Sequence, residues 1–160
     1  MHYFFLHTRK GFATVEILIA ATIISVTLIA LVLATGRAVD LSIESVERVQ
    51  ASFLLEESAE SVKLIRDTAW TSISSLTIGT TYYLNFSGAT WTLTTTPPAT
   101  VDGYTRTIVF SNVYRDGSDD IAGAGTLDDG TRLVTSTVSW NSVSGPKTES
   151  IQFYVANIFE

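Results

Sequence analysis

The sequence predicts an α+β fold in which one long N-terminal helix packs on a four- or five-stranded antiparallel sheet. An almost unbroken apolar run leads into a segment with helical spacing that continues to Trp70, without proline and with one glycine, Gly36. Beyond Trp70 the chain changes to short segments rich in β-branched and aromatic residues, separated by turn residues. A helix followed by a series of strands is typical of α+β architecture.

The apolar run at residues 12–33 has the length of a membrane span and contains a single charge, Glu16. At about 1.5 Å per residue, such a helix crosses the roughly 30 Å hydrocarbon core of a bilayer. Arg9 and Lys10 precede the run, so the positive-inside bias places residues 1–11 in the cytoplasm. We therefore expect a single-pass protein of the cytoplasmic membrane whose C-terminal domain lies outside.

An ordinary secretory signal peptide is an alternative interpretation of this run. The apolar region of a signal peptide is usually about 7 to 15 residues long, shorter than this one. The segment Ala34-Thr35-Gly36 is a weak candidate for a conventional cleavage site. A plain single-span anchor is the other alternative.

Glu16 is unusual because a carboxylate at membrane depth is costly. One interpretation places it at the interface, where the dipole of the helix N-terminus favours a negative charge. The other pairs it with a positive charge inside the membrane or inside an assembly. Cleavage after Gly11 would create such a charge, the amino group of Phe12, on a neighbouring subunit, and the pairing could set the register between subunits.

The basic pair Arg9-Lys10, followed by Gly11-Phe12-Ala13-Thr14-Val15-Glu16, resembles the N-terminal processing motif of type IV pilins and pseudopilins. In that family a prepilin peptidase cuts after the glycine and methylates the new N-terminal phenylalanine, and a glutamate five residues into the mature chain supports methylation and assembly. The resemblance implies that Gly11 ends the leader, that Phe12 is the N-methylated terminus and that Glu16 is the assembly glutamate.

By that resemblance, the chain is a structural subunit, a minor pilin or pseudopilin, of a type IV pilus-like (fimbrial) or type II secretion-like filament. The implied partners are other pilin or pseudopilin subunits, prepilin peptidase, the assembly ATPase and platform, and the inner membrane. The filament itself would be periplasmic or on the cell surface. The motif leaves open whether the system is a pilus, a secretion system or a DNA-uptake system. The alternative is a membrane-anchored extracytoplasmic binding or adhesin domain that does not polymerise.

The domain organisation follows from these segments: a leader at 1–11, a transmembrane and assembly half of the helix at 12–36, an amphipathic half at 37–70 and a sheet domain at 71–160. Apolar residues recur in the amphipathic half at steps of three and four. We expect them to form the face that packs on the sheet: Val39, Ile43, Val46, Val49, Phe53, Ala59, Val62, Ile65 and Ala69.

Five segments are candidate strands, at 82–86, 90–94, 104–114, 132–140 and 150–158. Ser87-Gly88-Ala89 suits a short hairpin loop between the first two, and Pro97-Pro98 ends the second. The sheet aromatics could form a binding platform, but we expect them to be core because alternating strands must bury one face. They are Trp91, Tyr104, Phe110, Trp140, Phe153 and Tyr154.

A segment rich in aspartate and glycine lies between residues 116 and 130. We interpret it as a solvated hairpin loop, in which Asp and Gly supply turn geometry. Some pseudopilins bind calcium in a loop, and carboxylate oxygens would suit that ion, although the spacing does not match an EF-hand. We therefore expect no bound metal and no cofactor. The alternative is a calcium-binding loop formed by Asp116, Asp119, Asp120, Asp128 and Asp129.

The composition excludes several classes of chemistry. The chain has no cysteine, and its two histidines, His2 and His7, both precede the membrane segment. Disulfides, thiolate metal sites, cysteine nucleophiles and Ser-His-Asp catalysis in the outer domain are therefore excluded. The formal net charge of -6 argues against broad nucleic-acid binding. We expect no catalytic residue and no enzymatic activity.

Overall fold

The computed structural model describes residues 10–98 and 100–159, with side chains from residue 13 onward. Its first element is the helix α1, which spans Lys10–Thr68 and is followed by the single turn α2 at Thr71–Ser74. An antiparallel sheet follows, so the predicted α+β fold with a long apolar helix is confirmed. The chain divides into two compact units, one ending at Ile43 and the other beginning at Glu44.

The first unit is the apolar part of α1. It belongs to the one helix of the described chain that is long and apolar enough to cross a membrane, and it lies near the N-terminus. Four of its hydroxyl side chains, at Thr22, Ser25, Thr27 and Thr35, donate to carbonyls three or four residues earlier, as Thr22 does to Ile19 at 2.8 Å. These polar groups are thus satisfied within the helix, as a segment in lipid requires. The predicted leader falls mostly in residues 1–9, outside the described residues.

The second unit is a sheet with the strand order β2-β1-β3-β5-β6, in which the short strand β4 pairs with β3. All neighbouring strands are antiparallel. The strands are β1 (Thr81–Ser87), β2 (Thr90–Thr94), β3 (Thr105–Arg115), β4 (Ile121–Ala122), β5 (Thr126–Ser142) and β6 (Gly145–Ala156).

The turn between β1 and β2 is shorter than predicted. Ser87 pairs with Thr90, which leaves a two-residue loop at Gly88 and Ala89. Both residues have positive φ, 60° and 64°. Two consecutive positive φ values match the twist of a tight hairpin, and glycine at the first position adopts them without strain.

The last two strands are longer than predicted. β5 begins at Thr126 instead of Arg132, and β6 begins at Gly145 instead of Ser150 and ends at Ala156. Turn-forming aspartates and glycine concealed the start of β5, and Pro146 concealed the start of β6. Proline is tolerated there because β6 is an edge strand and the residue lies at its beginning. The two-residue β4 leaves no periodic signal in the sequence.

The core lies between α1 and one face of the sheet, in two clusters. The larger cluster packs Val62 and Ile65 of the helix against residues that include Ile108, Phe110 and Val134. The smaller one packs Ala51 and Leu55 against Tyr104, Val138 and Trp140. The alternating burial along β5 confirms that one face of this sheet is buried.

The predicted sheet-facing side of the helix is only partly right. Val62 and Ile65 are buried, but Val46, Val49 and Phe53 are 50–65% exposed. The buried face includes two serines instead, Ser58 and Ser61. Each serine hydroxyl donates to the carbonyl four residues earlier at 2.7 Å, which removes the cost of burying it. Apolar periodicity alone therefore selected the wrong side of this part of the helix.

Phe110 and Phe53 form a matched test of this assignment, since Phe110 is fully buried and Phe53 is 65% exposed. We predict that Phe110→Ala lowers the free energy of unfolding by about 3–5 kcal/mol, because it leaves a cavity in the larger cluster. Phe53→Ala should change it by less than about 0.5 kcal/mol. Chemical unfolding of the full chain in detergent measures both, and equal losses would contradict the rotation of the helix described above.

Candidate functional site

Glu16 lies in the apolar part of α1 with its side chain exposed. No ion pair within the described part of the chain involves Glu16. Of the predicted processing residues, Arg9 lies outside the described residues. Lys10, Gly11 and Phe12 are helical in their backbone.

A second feature is an exposed apolar stripe on the part of α1 that belongs to the sheet-bearing unit. Val46, Val49, Phe53 and Leu64 are each exposed by half or more. At about 100° per residue, they cluster on the side of the helix opposite the buried face that includes Leu55. We call these four residues the outer stripe. Four large exposed apolar side chains on one helix face are characteristic of an interaction surface.

Polar contacts from the sheet fix the rotation of the helix near the smaller cluster. The Trp140 indole Nε1 donates to Glu47 Oε2 at 3.1 Å. The Tyr104 hydroxyl donates to Gln50 Oε1 at 2.9 Å, and the Tyr104 ring packs against Trp140 at 5.5 Å between centroids. These contacts orient the outer stripe away from the sheet.

Arg106 of β3 makes the corresponding contact about two to three turns further along the helix. Its guanidinium bonds to the carboxylate of Glu57 and stacks over the Trp91 ring at 5.4 Å. The anchoring contacts of Glu47 and Glu57 were not predicted from the sequence. Their partners lie far away along the chain, so no local pattern could have identified them.

The first helical residues of the sheet-bearing unit, from Glu44 onward, are held in the same way by the β5–β6 hairpin. Lys147 Nζ lies 3.6 Å from the Glu44 carboxylate, to which the Ser144 hydroxyl also donates. Arg48 lies 3.8 Å from Glu149. These side chains are partly exposed, so each ion pair contributes little stability by itself. Together they align β6 with the helix.

The acidic segment is organised by its own side chains. Asp116 Oδ1 accepts hydrogen bonds from the backbone N–H groups of Ser118 and Asp120, at 2.8 and 3.1 Å, which is the turn role that the sequence indicated. Asp128 and Asp129 lie in β5 and not in the loop. In residues 10–98 and 100–159 no group of three His, Asp or Glu side chains is arranged to hold a metal ion.

Asp128 pairs with Arg115, whose Nε donates to Asp128 Oδ2 at 2.7 Å. Arg115 also lies 3.6 Å from Asp119 and donates to the Asp119 carbonyl at 2.8 Å. The hydrogen bond from Arg115 lowers the pKa of the Asp128 carboxyl, against the smaller opposing effect of burial. This ion pair ties the start of β5 to the end of β3.

The sheet aromatics do not converge on one surface. Tyr104, Phe110 and Trp140 are buried, and Trp91 and Phe153 pack partly buried against the larger cluster. The core interpretation is therefore confirmed for these five. Tyr154 differs, because its side chain is 51% exposed on β6.

No family model, no curated protein and no solved structure matches this chain.

The pairing of Asp128 with Arg115 predicts a pH-dependent contribution to stability. A carboxyl with a lowered pKa in the folded state stabilises the fold above its unfolded pKa, and this contribution is lost as the pH falls through the folded pKa. Asp128→Asn should therefore lower the unfolding midpoint at pH 7. The difference from the unchanged chain should shrink as the pH falls below about 4. Thermal unfolding across pH measures this, and a constant difference down to pH 2 would contradict it.

Proposed function

We propose that this chain is a structural subunit of a filament of the type IV pilus or type II secretion kind, as a minor pilin or pseudopilin. The observation that carries the proposal is the outer stripe. It belongs to a helix whose N-terminal part is long and apolar enough to cross a membrane. The alternative, an anchored adhesin domain that does not polymerise, gives no reason for this stripe.

The outer stripe is apolar surface whose exposure to water is unfavourable. Exposed apolar surface costs roughly 25 cal/mol per Å², so Phe53 and its neighbours gain stability from any partner that covers them. Copies anchored in one membrane already have their helices aligned, so lateral packing of helix on helix covers the stripe on each copy. The sheet lies on the opposite side of the helix and would then face outward.

Register between the aligned helices needs a directional contact, because apolar side chains gain little from each other over lipid. Glu16 supplies such a contact if prepilin peptidase cleaves after Gly11 and methylates Phe12. The positively charged terminus of one subunit would then neutralise Glu16 of its neighbour, and an unpaired buried carboxylate would disfavour other registers.

In this function no residue of the chain is catalytic, and no cofactor is required. Prepilin peptidase, the assembly platform and the other subunits act on the chain. The protein would reside in the inner membrane until it enters a periplasmic or cell-surface filament.

We predict that Phe53→Glu reduces incorporation into filaments by about tenfold or more, because packing would bury an unpaired carboxylate. Ser52→Glu is the matched control, since it adds the same charge at the preceding position, on an exposed side chain outside the stripe. The measurement is the fraction of the chain that sediments with sheared filaments, with thermal unfolding of each variant to verify folding. Equal incorporation of the two variants would contradict helix packing through the outer stripe.

A further inference from the structure

The strand order leaves β2 and β6 at the two edges of the sheet. Within the described chain β6 pairs only with β5, and β2 pairs only with β1. An edge strand presents a row of unpaired backbone N–H and C=O groups and is a template for a further strand. β6 is the longer edge, with 12 residues against five in β2.

The tight turns define which backbone groups point outward at each edge. The residues that flank a two-residue hairpin loop form a hydrogen-bonded pair, and such pairs then alternate along the strands. Gly145 pairs with Ser142 in this way, so the odd-numbered residues of β6 bond to β5 and the even-numbered ones face outward. On β2, Thr90 pairs with Ser87, and the outward residues are Trp91 and Leu93.

Charged side chains, which usually prevent strand addition, are few along these two edges. The outward residues in the second half of β6 are Ser150, Gln152 and Tyr154, and all three are neutral. The charges of Lys147 and Glu149 near the start of the strand are engaged by the helix residues Glu44 and Arg48. β2 contains no charged residue.

A cavity of 230 Å³ adjoins the β2 edge on the side of the sheet that faces the helix. Its walls combine apolar side chains with hydroxyl groups. The residues that line it are Ile65, Thr68, Ser72, Leu76, Thr90, Trp91, Thr92 and Leu93. A strand added to β2 would direct every second side chain toward this cavity.

The direction of the strands determines which edge of a neighbouring copy can pair with β2. Successive strands in the order β2-β1-β3-β5-β6 are antiparallel, so β2 and β6 run the same way. β6 also runs along α1 in the direction of the helix, since Arg48 contacts Glu149 and Val62 shares a cluster with Val155. Antiparallel pairing of two β6 edges would therefore oppose the helices. Aligned copies placed side by side instead bring β6 of one copy to β2 of the next.

We propose that β6 of one copy adds to β2 of the neighbouring copy as a parallel strand and joins their sheets. The match of the two faces requires odd-numbered residues of β6 opposite Trp91 and Leu93, and the neutral second half of β6 selects Ile151 and Phe153. The backbones of Trp91 and Leu93 then form about four hydrogen bonds with the outward groups of β6. The Phe153 side chain projects toward the cavity. The contact is heterologous, so it repeats from copy to copy, and it rests on the proposed function because that function supplies aligned copies.

The cysteine-free chain allows a direct test by disulfide trapping. In the proposed register Thr92 of one copy lies opposite Gln152 of the next, about 4.8 Å away, within the Cα separation of a disulfide. Within one chain these residues lie on opposite edges of the sheet. The full-length variant Thr92→Cys/Gln152→Cys should therefore form a ladder of linked chains on mild oxidation in membranes. Each single variant should stay monomeric, and Thr135→Cys/Thr92→Cys, with one cysteine on the interior strand β5, is the matched control.

Sedimentation with sheared filaments separates this contact from assembly in general. The Thr92→Cys/Gln152→Cys variant should sediment with the filaments and also form the ladder. Sedimentation without the Thr92–Gln152 ladder would overturn the strand addition and leave the proposed filament standing. Failure of the unchanged chain to sediment with filaments would overturn both. A third variant removes one hydrogen bond of the proposed contact. Gln152→Pro eliminates an outward N–H that does not bond to β5, so the thermal unfolding midpoint should stay within a few degrees. The same substitution should abolish the ladder that Thr94→Cys/Tyr154→Cys, the next opposed pair in the proposed register, would otherwise form.

Discussion

The rotation of α1 about its own axis decides which side chains this protein presents to other molecules. Burial of Ala51, Leu55 and Val62 sets that rotation, and the hydrogen bond from Trp140 to Glu47 holds it. A turn of the helix by one residue, about 100°, would carry the outer stripe toward the sheet and expose the serines. The proposed assembly surface is therefore a consequence of core packing.

The architecture could be predicted from the sequence because its signals are long and periodic. The apolar run, the absence of proline through α1 and the alternation in β5 are each decisive over ten or more residues. The rotation of the helix could not be predicted, because Val46, Val49 and Phe53 have the same spacing as core residues. The buried face differs in containing Ser58 and Ser61, whose hydroxyls donate to backbone carbonyls of the same helix. Hydrophobicity scales rank serine as polar and therefore predict that both residues are exposed.

The features of the candidate site also fall into two groups, those with a local sequence signal and those that depend on distant residues. Glu16 and its processing motif are local features that can be read from neighbouring residues. The contacts of Glu47, Glu57 and Asp128 join residues distant in the chain, and the sequence offers no local signal for them. The acidic segment illustrates the difference. Its turn chemistry at Asp116 was predictable, whereas the ion pair between Asp128 and Arg115 depends on the register between β3 and β5.

The proposed assembly uses two kinds of surface, and one arrangement of neighbouring copies covers both. Neighbouring copies with parallel helices would cover the outer stripe and the β2 and β6 edges together, and anchoring in one membrane would supply that arrangement. Burial of the outer stripe is non-directional and strand addition is directional, so together they would define a polar filament.

The most direct test of this account is mass spectrometry of the N-terminal peptide, taken from full-length protein purified from cells with an active prepilin peptidase. We expect a terminus at N-methylated Phe12, because the proposed partner of Glu16 is the charged terminus that only processing creates. An intact Met1 terminus would contradict it and favour an anchored binding domain. A terminus near Arg37 would identify a cleaved signal peptide and remove the membrane segment from the mature protein.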